Sequence, residues 1–258
     1  MKFQLICLLF ILSLLSGCNP ALIKPGGGDN LELAEHTNEI AQSNLNLGLA
    51  YMQRGEYEKA LEKLERALDA DSKYTPTLNA LALLHQKLGK MDKAEEYFKR
   101  ALSIRANDPY TLNNYGQFLC IGGRFKEAED AFLKSAGNPL YETPEIAYAN
   151  AGTCSLKNNE QEKAEIYLRK ALEKNPKLAV ALLQMSQISY DKGSYLSARG
   201  YLQRYLEVAN HTPVSLWLGI QIEQQLGDKD TVSSYALLLK NNFPNSKEAE
   251  LLHEAGIK

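Results

Sequence analysis

The sequence lacks the residue clusters that reactive chemistry needs. Its four histidines, His36, His85, His211 and His253, are scattered. There is no HExxH, no GxSxG, no phosphate-binding glycine loop and no CxxC pair. These absences argue against an enzyme, a metal centre, a cofactor or a small-molecule substrate. Neither sign of charge is in excess: 29 basic and 31 acidic residues are spread evenly along 258. No basic stripe offers itself to a phosphate backbone, which argues against nucleic acid as a partner. The length suits one large domain or an extended repeat array with a sizeable core. Long apolar runs are also scarce: Leu5 to Leu15 (LICLLFILSLL) is unbroken but too short for a comfortable membrane span.

That run does have a setting. Met1-Lys2 gives it a positive start and Ser16-Gly17 a small-residue end, the pattern of a secretory signal peptide. The tetrad Leu15-Ser16-Gly17-Cys18 resembles the bacterial lipobox. The resemblance implies that the Cys18 sulfur takes a diacylglycerol, that its amine takes a further acyl chain, and that residues 1–17 are removed. Asn19, where an aspartate would keep such a protein on the inner membrane, points to the outer membrane with the folded part facing the periplasm. The alternative is an ordinary signal peptide in which Cys18 is incidental. Several acyl chains anchor durably where one is marginal, at about 0.8 kcal/mol per buried methylene. Residues 18–30, with two prolines and the run Gly26-Gly27-Gly28, read as the acylated end and a flexible tether. The folded domain is then expected over residues 31–258.

From Ile40 the chain repeats itself with a period of 34. NLNLGLAYMQRGEYEKALEKLERAL (44–68), LNALALLHQKLGKMDKAEEYFKRAL (78–102) and LNNYGQFLCIGGRFKEAEDAFLKSA (112–136) align without a gap. Asn44, Leu47, Gly48 and Tyr51 fall on one helical face, Gly55 breaks that helix, and Ala60, Leu64 and Ala67 mark the buried stripe of a second. Each unit is therefore a helical hairpin, and small residues at Gly48 and Ala60 let its two backbones approach closely.

This pattern resembles the tetratricopeptide repeat. Leu81, Ala82, Ala94, Phe98 and Ala101 occupy its signature positions in the second unit, and Tyr115, Gly116, Ala128 and Phe132 in the third. The resemblance implies an all-α, right-handed superhelix of six hairpins over 41–74, 75–108, 109–144, 145–178, 179–212 and 213–246, closed by a capping helix over 246–258. A two-residue insertion within SAGNPLYETP delays the fourth unit, and the fifth and sixth match more loosely.

In this family the first helices line an inner groove that holds segments of other proteins. The groove positions in the first three units give Leu45, Leu49, Met52, Asn79, Leu83, Gln86, Tyr110, Asn113 and Gln117 as binding residues. No groove position in any unit is charged, so the clamp that grips acidic peptide termini is missing. The implied ligand is an apolar or amphipathic segment, with Asn79 and Asn113 hydrogen-bonding its backbone. Alternatively, Leu45, Leu49 and Met52 are covered by the segment LELAEHTNEI (31–40). Trp217 reads as a packed aromatic, His85 as a packed ring beside the second hairpin, and the acid pairs Glu95-Glu96 and Glu127/Glu129 as solvated faces of second helices.

Once Cys7 leaves and Cys18 is acylated, two cysteines remain. Cys120 and Cys154 sit in first helices of neighbouring units, which run side by side, and in an oxidising compartment a Cys120–Cys154 disulfide is expected. Two buried free thiols are the alternative.

An acylated six-unit array of this length resembles the PilF/PilW family of type IV pilus biogenesis lipoproteins. The resemblance implies a pilotin that binds the secretin subunit PilQ, brings it to the outer membrane and promotes its multimerisation, with other pilus proteins as further partners. A lipoprotein adaptor that recruits peptidoglycan-remodelling enzymes or other envelope assemblies is the alternative, because the repeat pattern encodes the scaffold and leaves the ligand open.

Overall fold

The computed structural model describes residues 39–256. The expected leader, Cys18, the tether and residues 31–38 lie outside the described residues, as do the last two positions of the expected cap. Among the described residues every regular element is an α-helix. Six hairpins follow one another: α1 (Glu39–Gln53) with α2 (Tyr57–Ala70), α3 (Thr75–Lys87) with α4 (Met91–Ile104), α5 (Pro109–Ile121) with α6 (Phe125–Ala136), α7 (Pro144–Lys157) with α8 (Gln161–Lys174), α9 (Ala179–Asp191) with α10 (Tyr195–Leu206), and α11 (Pro213–Leu226) with α12 (Lys229–Asn242). A short thirteenth helix, α13 (Lys247–Glu254), closes the stack.

Local chemistry sets these limits. A proline stands in the first turn of α3, α5, α7 and α11, where its missing N–H costs nothing. The Asp108 carboxylate accepts from the Thr111 amide at 2.8 Å, and Thr212 with Ser215 forms a reciprocal cap on α11. Each turn inside a hairpin needs one residue in the left-handed region. Gly55, Gly89, Gly123, Gly193 and Gly227 supply it with φ between 72° and 78°. In the fourth hairpin Asn159 does so at φ 58°, asparagine being among the side chains that tolerate this region.

Where the helices of a hairpin cross, a missing side chain makes room. A Cβ on Gly116 would stand 2.7 Å from the Phe132 ring, and Gly48 and Gly152 meet Leu64 and Leu168 in the same way. Those large partners are fully buried, each contributing about 1.5–3 kcal/mol of apolar burial. The cores run on from hairpin to hairpin, and Leu252 of α13 ends the series against Leu216, Ile220 and Leu239. At the other end Leu47 is exposed, whereas Leu81, one period later, is buried. The first hairpin has no predecessor among the described residues to cover that place.

Successive first helices touch, α1 with α3, α3 with α5, α5 with α7, α7 with α9 and α9 with α11. The backbones of successive second helices stay further apart, and long side chains such as Tyr167 of α8 reach back across the gap to Glu129 of α6. The first helices thus form a continuous inner wall while the second helices splay outward, and the stack curves around the first-helix face. The insertion before α7 does not disturb this register. Asn138 ties it down, donating to the Asn107 carbonyl at 2.7 Å and accepting from the Leu140 amide at 2.9 Å. Buried Tyr141 meets Tyr110 edge-on at 5.2 Å.

Candidate functional site

The inner wall is where the expected binding residues converge, but it does not present them equally. Leu49, Tyr110 and Gln117 are exposed, while Met52, Asn79, Leu83 and Gln86 are half-buried. Two expectations are corrected. Leu45 is buried among Ala60, Leu64, Ala80 and Leu81, because α1 packs on α3 at that level and turns the side chain into the seam. Asn113 is also buried, its carbonyl oxygen accepting from Asn150 of the next hairpin at 2.9 Å. Neither lines a free groove.

The same contact recurs along the wall. Asn114 donates to Asn79 at 3.2 Å, Gln184 to Thr153 at 3.0 Å, and the Tyr74 hydroxyl to Gln42. The amides expected to hold a ligand backbone are therefore partly engaged in joining neighbouring hairpins. What the wall offers a partner is mainly apolar. Leu49 and Tyr110 are joined by Val180 and Val214, which stand exposed at Tyr110's place in the fifth and sixth hairpins. Leu83 packs on the core cluster that holds Phe98, Phe118 and Phe132, so its removal would disturb the fold as well as the surface. Of the segment proposed to cover Leu45, Leu49 and Met52, only Glu39 and Ile40 belong to the described residues.

Cys120 and Cys154 are bridged, with their Cα atoms 5.9 Å apart. The bond ties α5 to α7, on either side of the insertion. Trp217 is half-buried against the last core cluster. His85 is buried and stacks on Tyr97 at 5.3 Å, and burial pushes its pKa down. Among the described residues no group of three or more His, Cys, Asp or Glu is placed to hold a metal ion.

The acid pairs are a further correction, since part of each works across a hairpin boundary. Glu95 of α4 receives Arg124 from the next hairpin at 2.6 Å and the Tyr115 hydroxyl at 3.0 Å. Glu129 receives Tyr167 and Lys163, and Glu165 receives Lys192. Hydrogen bonds from Arg124, then Lys99, hold the Glu95 carboxyl down at about 2. Because the folded pKa lies below the unfolded one, this clasp contributes fully above about pH 4.5 and fades only as pH falls toward 2. A further ion pair, Arg199 to Glu223, joins the fifth and sixth hairpins. Leu140, exposed at the tip of the insertion, has no place in the repeat pattern and so no signal that could have singled it out.

Stacked hairpins whose first-helix groove positions carry no charged residue define a tetratricopeptide-repeat protein, a class of protein-interaction scaffold. Models of the tetratricopeptide repeat match residues 39–107, 74–138 and 146–178. The type IV pilus assembly protein PilF of Pseudomonas aeruginosa is 31% identical over 242 residues, 93% of this chain and 94% of its own. A solved structure of Pseudomonas aeruginosa PilF superposes with a TM-score of 0.77 at 31% identity, over 84% of this chain and 98% of that one. The crystal structure of PilW, a widely conserved type IV pilus biogenesis factor, does so at 0.74 and 32%, over 83% and 99%. The chain belongs to the PilF/PilW family of type IV pilus biogenesis factors.

Proposed function

We propose that this protein is an outer-membrane lipoprotein pilotin. Cys18 carries the diacylglycerol and N-acyl chains, and the repeat domain faces the periplasm. Its inner wall holds an apolar segment of the secretin subunit PilQ, delivering the subunit to the outer membrane and promoting ring assembly. The mechanism is physical. Acyl chains set the address, and the wall shields the segment from aggregation until neighbouring subunits replace it. The observation that carries this reading is the 31% identity to a pilus assembly protein over almost the whole of both chains. The uncharged groove positions support it, since they favour apolar packing over the capture of a charged terminus.

The test is capture from detergent-solubilised envelope by wild type and by a Leu49→Glu/Tyr110→Glu variant. Both side chains are exposed, and because Tyr110 also meets the Tyr141 ring, helical circular dichroism of the variant checks that the fold is retained. Central anchors of an interface are worth 2 kcal/mol or more, so secretin recovery should fall about thirtyfold or further. Equal recovery by both proteins would move the site off the inner wall.

A further inference from the structure

The edge of the stack formed by the turns inside hairpins two and three differs from the rest of the surface. Leu88, Met91 and Ile121 stand there 36%, 43% and 58% exposed. α3 packs against α5, and Arg124 reaches back to Glu95, so the two turns lie side by side. Charge is concentrated at the same place. Segments 87–93 (KLGKMDK) and 121–127 (IGGRFKE) carry five basic residues against two acidic ones, in a chain whose formal net charge is −2. Arg124 is held by Glu95 and Glu127. Lys87, Lys90, Lys93 and Lys126 are exposed and ion-paired to no other described residue. The fourth turn, Asn158-Asn159-Glu160, continues neither the apolar row nor the positive charge.

Exposed aliphatic side chains interleaved with unpaired lysines are the composition of a surface that lies in a bilayer interface. We propose that this edge docks on anionic phospholipid, with Leu88, Met91 and Ile121 entering the boundary between headgroups and acyl chains and the four lysines meeting lipid phosphates. The proposal rests on the lipid-anchor reading of Cys18, which brings a bilayer within reach. Twenty residues separate Cys18 from Glu39, a chain that spans at most ~70 Å at about 3.3–3.6 Å per residue. Tethering raises the local concentration of lipid, so a patch of modest affinity suffices. Held by this edge, the first helices stand roughly upright on the membrane and the inner wall opens along its plane.

The test uses the full mature chain with Cys18→Ser, so that no acyl chain contributes, in flotation with vesicles of phosphatidylethanolamine with or without phosphatidylglycerol. The expected result is flotation that needs phosphatidylglycerol, weakens with salt, and falls at least tenfold in both Met91→Gln/Ile121→Gln and Lys90→Gln/Lys126→Gln. All four side chains are exposed, and helical circular dichroism checks that each variant is folded. In the acylated wild type on the same vesicles, hydrogen exchange over 86–93 and 120–127 should slow when phosphatidylglycerol is present. Failure to float, flotation indifferent to both variants, or protection of the edge by the secretin subunit and not by vesicles would each overturn the proposal. The intact mass of the native protein reports Cys18 acylation separately, so failure of the anchor reading is distinguishable from failure of the edge.

Discussion

Removing Arg199 should destabilise the distal end of the array by about 3–5 kcal/mol, while removing its partner should cost clearly less. The asymmetry follows from burial. Glu223 is only 3% exposed, and its carboxylate accepts two bonds from the Arg199 guanidinium, one of them from Nε at 2.9 Å. Arg199→Ala leaves that carboxylate buried and unpaired, the case for which losses of this size are typical. In Glu223→Ala the guanidinium, with a side chain 29% exposed, keeps Asp228 at 3.7 Å and can reach water. Arg199→Met with Glu223→Leu, which removes both charges and fills the space, should lie near wild type. Urea unfolding followed by hydrogen exchange over α9–α12 measures all three. Equal losses in the two single variants would show that burial of Glu223 does not set the cost.

Opening the Cys120–Cys154 bridge should cost about as much, at a different place. The bond closes a loop of about 35 residues, worth roughly 3.5–4 kcal/mol in the chain-entropy model. In a repeat array each hairpin contacts only its neighbours, so the loss should concentrate at the junction of the third and fourth hairpins. Both sulfurs are buried beside Phe118, Ala151 and Tyr167. Cys120→Ala/Cys154→Ala is therefore the suitable variant, since it leaves no unpaired hydroxyl. Exchange over α5–α8 should accelerate by two orders of magnitude or more while α1–α4 changes little. An unchanged pattern would mean that packing alone holds the junction.

The architecture was largely legible because it is written 34 residues at a time. Gly48, Gly116, Phe98 and Phe132 mark where two helices must cross, and the turn glycines mark where each hairpin folds back. Less legible was which groove position stays free. Leu45 and Asn113 occupy the fifth place of their units, as Asn79 does, yet how deeply each is covered depends on the neighbour laid against it. Glu95 and Glu129 look like any solvated helix acid until the next hairpin brings Arg124 and Tyr167 to them. Arg199 and Glu223 are 24 residues apart and match no period. The lysine-rich edge was hidden by an average, since a nearly neutral whole contains a strongly positive pair of turns.

On the proposed function, the inner wall acts on the secretin. The most direct measurement is secretin multimer content in outer membranes of cells that lack the gene and carry either the wild type or the Leu49→Glu/Tyr110→Glu variant at equal abundance. The wild type should restore multimers, and the variant should leave the subunit monomeric and unstable with few surface pili. Wild-type multimer levels in cells carrying the variant would contradict the assignment of that wall.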